Sequence, residues 1–130
     1  MALAALTYGC DDNTLPTAPT DLTEGVVIYE HANFMGRSAH LTSDVRNLRD
    51  FDGPCAHGDG DDVAEVWDDC ASSIRVAPGW RAILYVDDDF DGQQLTVTTD
   101  VENLVFSPGT CDKGGFNDCT TSIRVTRPTQ

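Results

Sequence analysis

The residues able to do chemistry lie in three short stretches. DDCASS (Asp68–Ser73) and NDCTTS (Asn117–Ser122) each set two carboxylate or amide side chains just ahead of neighbouring hydroxyls, and DDDFDG (Asp87–Gly92) is rich in aspartate. Carboxylate, hydroxyl and carbonyl oxygens within one loop suit a hard cation, since Ca2+ takes six to eight oxygens in flexible geometry. DDDFDGQQLTVT (residues 87–98) also matches the opening of an EF-hand loop, with Asp87, Asp89 and Asp91 at its first, third and fifth places and Gly92 at the sixth. The twelfth place is Thr98. One hydroxyl cannot replace the chelating Glu required there. Standing alone, DDxxSS is also a commonplace turn in which Asp and Ser cap their own backbone.

The segments around these loops read as strands. RAILYV before DDDFDG and QQLTVTT after it carry β-branched and aromatic residues with partial alternation, where an EF-hand needs two amphipathic helices. An internal repeat sets the architecture. VVIYEHANFMGRSAHLTSDVRNL (residues 26–48) aligns with AILYVDDDFDGQQLTVTTDVENL (residues 82–104) at an offset of 56. WDDCASSIRV (Trp67–Val76) aligns with FNDCTTSIRV (Phe116–Val125) at an offset of 49, so the first copy carries seven more residues, expected in the loop around AHGDGDDVAE. Each copy reads as four short strands with one helical turn at most, at DVRNL or DVENL. The expected fold is all-β: a sandwich of two Greek keys, each burying its apolar face against the other. Tyr29 with Phe34 and Tyr85 with Phe90 are spaced to pack across folded hairpins. Gly36 and Gly92 permit the backbone bend, and these residues read as fold determinants without chemistry.

Composition narrows the function classes. The 130 residues suit one domain, and no apolar run approaches the length of a membrane span. Eight Lys and Arg against 22 Asp and Glu, a net charge of −14, argue against nucleic acid as a partner. Such charge repels itself in a compact state, which bound divalent cations relieve; an acidic surface serving solubility or a saline habitat is the plainer reading. Residues 1–25 differ in composition and read as a leader or flexible tether, with Cys10 after Gly9 as a candidate lipidated cysteine of a lipoprotein signal. The basic start and the usual Leu three places before the cysteine are missing; Tyr8 and the short apolar segment stand instead.

Tyr29-x4-Phe34-x-Gly36 and Tyr85-x4-Phe90-x-Gly92, each followed by an Asn/Asp-Asn/Asp-x-x-Ser/Thr-Ser stretch, resemble the microbial calcium-binding βγ-crystallins over about residues 26 to 126. The resemblance implies one domain at 26–127, with Greek key 1 about 26–77 and Greek key 2 about 81–126, holding two Ca2+ ions between hairpins and motif loops. Carried onto this chain, it implies hairpin ligands at Glu30 and at Val86 or Asp87. The implied motif ligands are Asp69, Cys70 and Ser72, with Asp118, Cys119 and Thr121. Which hydroxyl serves which ion stays open at this point. Asp88 is a further candidate. The first hairpin, EHANFMG, lacks the three consecutive acids of the second, so the two sites are expected to differ in affinity, and Gln94 stands where the first copy has Ser38.

Cys55 and Cys111 match at offset 56, and Cys70 and Cys119 at offset 49, leaving Cys10 odd. Repeat symmetry favours Cys55 with Cys70 and Cys111 with Cys119 among the three pairings that four cysteines permit. Each bond would tie the loop ahead of a motif to that motif, for about 2 to 4 kcal/mol, and would imply an oxidising, extracytoplasmic location. Zinc is disfavoured, because no C-x2-C pair occurs and His31, His40 and His57 are not spaced as partners. The leading expectation is a monomeric, non-enzymatic calcium-binding module stabilised by its metal. A secreted interaction protein, such as a protease inhibitor or carbohydrate-binding module contacting its target through His57 to Glu65, is the alternative. Glycoside hydrolysis by paired aspartates stands third.

Overall fold

Strand-forming residues on either side of each hairpin build two matching three-stranded sheets. In the computed structural model, which describes residues 22–57, 63–112 and 114–128, β1 (Val26–His31), β2 (Met35–Leu41), β3 (Asp52–His57), β4 (Ala64–Val66) and β5 (Ser73–Val76) form the first half. β6 (Arg81–Asp87), β7 (Asp91–Val97) and β8 (Ser122–Thr126) follow. The sheet orders are β2-β1-β5 and β7-β6-β8, all antiparallel, with β3 and β4 a separate pair. The all-β expectation of a two-Greek-key sandwich holds. Residues 1–21, among them Cys10 and most of the leader, lie outside the described residues, as do residues 58–62 of the expected contact loop.

Alternation along the central strands makes the core. Val26 and Ile28 of β1 join Ala82 and Leu84 of β6, Leu48, Leu104 and Phe116 in one buried cluster, so both sheets share it. Burying side chains of that size contributes about 1.5–3 kcal/mol each. On the opposite face of β1, Val27 and Tyr29 form a smaller cluster with Leu22 and Phe34.

The hairpins fold back on themselves through residues in left-handed conformation. Asn33 and Phe34 both have φ 60°, and Asp89 and Phe90 have φ 54° and 61°. That geometry brings Phe34 and Tyr29 into a T-shaped pair at 5.6 Å between ring centroids, and Phe90 and Tyr85 into one at 5.8 Å. The Arg75 guanidinium lies over the Phe34 ring at 4.0 Å from its centroid, and that of Arg124 over the Phe90 ring at 4.0 Å. Gly92, at φ 81°, has no room for a side chain: a Cβ there would sit 2.5 Å from Asp87 Oδ2.

The helical turns start later than DVRNL and DVENL suggested, at Leu48–Asp50 and Leu104–Phe106, capped by the side chains of Asn47 and Asn103. The preceding Asp-Val pairs are engaged elsewhere. Val45 bridges Ile123, and Val101 bridges Ile74, so each half lends a strand-like segment to the other half's sheet. Asp44 Oδ1 accepts the Val125 N–H at 2.8 Å, and Asp100 Oδ1 accepts that of Val76 at 2.8 Å. Four strands per copy was therefore too regular: the first half has five, and the second has three among the described residues. Where the first half has β3 and β4, the second has turns held by Gln93, whose amide makes two hydrogen bonds to Thr110.

Asp44→Ala should lower stability by about 1–2 kcal/mol, because it strands the buried Val125 N–H. The exposed Asp44–Arg124 pair adds little to that. Urea unfolding, with the midpoint shifted at unchanged slope, checks it.

Candidate functional site

The two motif loops meet each other, and each supplies what the other lacks. Trp67 and Phe116, buried in the core just ahead of the motifs, anchor them. Asp69 and Asp118 then turn the chain at φ 51° and 52°, a left-handed conformation that Asp tolerates better than most residues. The Asp69 N–H donates to the Thr120 carbonyl at 3.0 Å, and the Asp118 N–H to the Ala71 carbonyl at 3.0 Å. The side chains cross in the same way: Ser72 Oγ donates to Asp118 Oδ1 at 2.8 Å, and Thr121 Oγ1 to Asp69 Oδ1 at 3.5 Å.

Each hydroxyl also lies beside a hairpin. The Ser72 N–H donates to the Tyr29 carbonyl at 2.9 Å, and the Thr121 N–H to the Tyr85 carbonyl at 2.8 Å. The β1–β2 register skips from Tyr29 to His31, and β6–β7 from Tyr85 to Asp87. Glu30 and Val86 therefore stand at bulges, which re-aim backbone groups away from the ladder. The Ser72–Asp118 pair therefore lies next to the bulge at Glu30, and the Thr121–Asp69 pair next to the bulge at Val86. Asp69, Val86, Asp87, Asp118, Cys119 and Thr121 share a cleft of about 750 Å³ with Arg49, Thr110 and Asp112. Glu30, Cys70 and Ser72 do not line it. Cys70 is fully buried, and the Glu30 carboxylate accepts the Arg37 N–H at 3.3 Å.

Both disulfides form as repeat symmetry favoured, Cys55–Cys70 and Cys111–Cys119. They hold the third residue of each motif to the segment before it. The last serine of each motif has a role that the ligand reading passed over. Ser73 Oγ accepts the Phe34 N–H at 3.0 Å and donates to the His31 carbonyl at 2.6 Å. Ser122 Oγ does the same for Phe90 at 3.0 Å and Asp87 at 2.6 Å. Its recurrence at offset 49 was the available signal.

Charge is unevenly placed. Arg49 Nε donates to Asp68 Oδ2 at 3.1 Å, and the acid is 2% exposed. That hydrogen bond and the Asp68 charge raise the Arg49 pKa, with Asp69 and Asp88 adding to the effect. Burial pushes the Tyr29 hydroxyl up, against the lowering influence of Arg75. In the second motif, Asn117 Oδ1 and Thr120 Oγ1 are buried without a hydrogen-bond partner. Among the described residues no three His, Cys, Asp or Glu side chains cluster as a metal site; a cation here would draw on hydroxyls and main-chain carbonyls together with the carboxylates, an all-oxygen set that fits a hard ion. No helix among the described residues is long and apolar enough to cross a membrane.

No family model matches the chain. Spherulin-3A of Physarum polycephalum is 31% identical over 102 residues, 77% of this chain and 80% of that protein. A development-specific protein S homolog of Myxococcus xanthus is 41% identical over 54 residues, 42% of this chain, and an epidermal differentiation-specific protein of Cynops pyrrhogaster is 36% identical over 70 residues, 54% of this chain. The chain spans only 26% and 16% of those two relatives' lengths. Among solved structures, one concerned with the evolution of the eye lens βγ-crystallin domain fold superposes with a TM-score of 0.65 at 24% identity, covering 87% of this chain and 96% of that one. A βγ-crystallin domain from Flavobacterium johnsoniae gives 0.57 at 25% identity, covering 82% and 99%.

Replacing Ser73 or Ser122 by Ala should destabilise the protein by about 1–3 kcal/mol each, because a backbone donor and acceptor at the hairpin lose their partner together. Hydrogen exchange should quicken at Phe34 in one variant and at Phe90 in the other. Unchanged exchange at those amides would remove the serines from this role.

Proposed function

Because the chain belongs to the βγ-crystallin family, we propose that it is a non-enzymatic calcium-binding module, one domain over residues 26–127, holding two Ca2+ ions that stabilise it. The observation that carries this reading is the crossing of the motif loops: Ser72 on Asp118 and Thr121 on Asp69, each hydroxyl lying beside a hairpin bulge. One ion takes the Glu30 carbonyl, Ser72 and Asp118; the other takes the Val86 carbonyl, Thr121 and Asp69. The carbonyls of Cys70 and Cys119, held by the disulfides, complete the sets. The Asp87 carbonyl already accepts the Ser122 hydroxyl, which favours Val86 as the carbonyl donor and leaves Asp87 to contribute its carboxylate from the cleft wall.

The metal supplies positive charge where oxygens from both halves converge, so each ion joins the two Greek keys as well as occupying a loop. An ion that binds the native state alone adds RT ln(1 + [L]/Kd), about 2.7 kcal/mol at a hundredfold excess. A monomer outside the cytoplasm, where two disulfides persist and free calcium is plentiful, is the setting in which such sites stay filled.

Calcium titrated into metal-free, disulfide-bonded protein should give two binding events and raise the melting temperature by on the order of 10 °C. Ser72→Ala and Thr121→Ala should each remove one event. Each should also lower metal-free stability by about 1 kcal/mol, the worth of one hydrogen bond. Absence of both heat and thermal shift in the unaltered protein would end the calcium reading.

A further inference from the structure

We infer that Arg49 is a built-in competitor for calcium at the site formed by Val86, Thr121 and Asp69, a fixed cation from one Greek key that tunes the affinity of the other key's acid-rich hairpin. The inference rests on the calcium reading above. Arg49 lines the cleft beside Asp69, Asp87 and Thr121. It is held at both ends: its backbone N–H donates to the Asn47 side chain at 3.0 Å within the capped turn, and its guanidinium is bonded to Asp68. Asp68 precedes the proposed ligand Asp69 in sequence and does not line the cleft. The cation is therefore part of the wall of the cleft a metal would enter, close enough to feel Asp69 and Asp88, with a counter-ion that does not line that cleft.

The neighbouring arginine acts on the same hairpin. The Asp89 N–H donates to the Arg46 carbonyl at 2.9 Å, and the Arg46 guanidinium lies 2.9 Å from Asp89 Oδ1. Both arginines thus face DDDFDG, the hairpin with three consecutive acids. At offset 56 their counterparts are Glu102 and Val105, and at offset 49 the counterpart of Asp68 is Asn117. The Asn33 N–H donates to the Glu102 carbonyl at 2.7 Å, so the backbone contact recurs at the first hairpin without either cation. The repeat has kept the scaffold at both sites and charged it at one.

A unit charge within about 8 Å of a divalent ion in a water-filled cleft changes its affinity roughly fivefold to tenfold. The test uses the full chain in two backgrounds, each retaining one site, with calorimetric calcium titration at low and high ionic strength. In the Ser72→Ala background, Arg49→Gln should tighten calcium roughly fivefold to tenfold at low salt, with a smaller gain at high salt because the charge is screened. Arg49→Lys, which keeps the charge, should leave the affinity near that of the parent. In the Thr121→Ala background, Arg49→Gln should change little. Should Arg49→Gln fail to fold with its bond to Asp68 gone, Arg49→Gln/Asp68→Asn copies the neutral pattern of the other half, and it should still tighten binding, by less. Equal affinity with and without Arg49, or an equal gain in both backgrounds, overturns the inference while the calcium reading stands. No binding by the unaltered protein overturns both.

Discussion

The structure depends on one reciprocal arrangement: two acidic loops from different halves of the chain, each closed by the other. Asp69 and Asp118 turn in a left-handed conformation that few residues other than glycine, asparagine and aspartate adopt readily. What holds them is the opposite loop, through backbone bonds to Thr120 and Ala71 and hydroxyl bonds between Ser72, Thr121 and the two carboxylates. Each loop takes part of its support from the other half. The crossed Asp-Val segments repeat this logic at the sheet edges, where Asp44 and Asp100 cap strands of the other half. The contacts that join the two loops are therefore also contacts between the Greek keys, so the shape of the loops and the stability of the fold draw on the same bonds.

The hairpins give those loops a fixed neighbour. Tyr29 and Tyr85 pack in T-shaped pairs with Phe34 and Phe90, and Arg75 and Arg124 lie over the phenylalanine rings. Ser73 and Ser122 then tie each hairpin to the strand that leaves its motif. Two contacts act on one aromatic ring in each half and a third holds that residue's backbone N–H, and together they set where the bulged residue before the fold points. A bulge moves one residue out of the ladder at small energetic cost. The packing behind it keeps that residue from wandering.

Much of this was legible because it was local or repeated. Tyr-x4-Phe-x-Gly needs only one hairpin to explain it, and the recurrence of Cys55 and Cys70 at the offsets of Cys111 and Cys119 favoured the disulfide pairs that the structure contains. The crossing of Ser72 to Asp118 was not legible. A self-capping turn and a loop completed from 46 residues away have the same sequence, DDxxSS. Ser73 and Ser122 went unassigned because a terminal serine in an acidic motif reads first as one more oxygen ligand or as a turn residue. The segment after β7 misled for the opposite reason: aligned copies suggested matching strands, but without the seven extra residues of the first half the chain forms turns around Thr110, held by Gln93 of β7.

Repeat symmetry and charge obey different constraints here. The bonds that recur in both halves involve backbone groups, hydroxyls and the two motif aspartates, for which small changes of geometry undo the loop. Residues around that frame touch it from outside and have diverged freely: Arg46 faces Glu102 across the repeat, Arg49 faces Val105, and Asp87 faces His31. A charge acts over several ångströms without demanding exact placement, so such positions can shift a site's affinity while leaving its frame intact. Duplication supplies two scaffolds of the same shape. The charges arranged around them make the two halves electrostatically unequal, in a molecule whose net charge of −14 draws cations towards it.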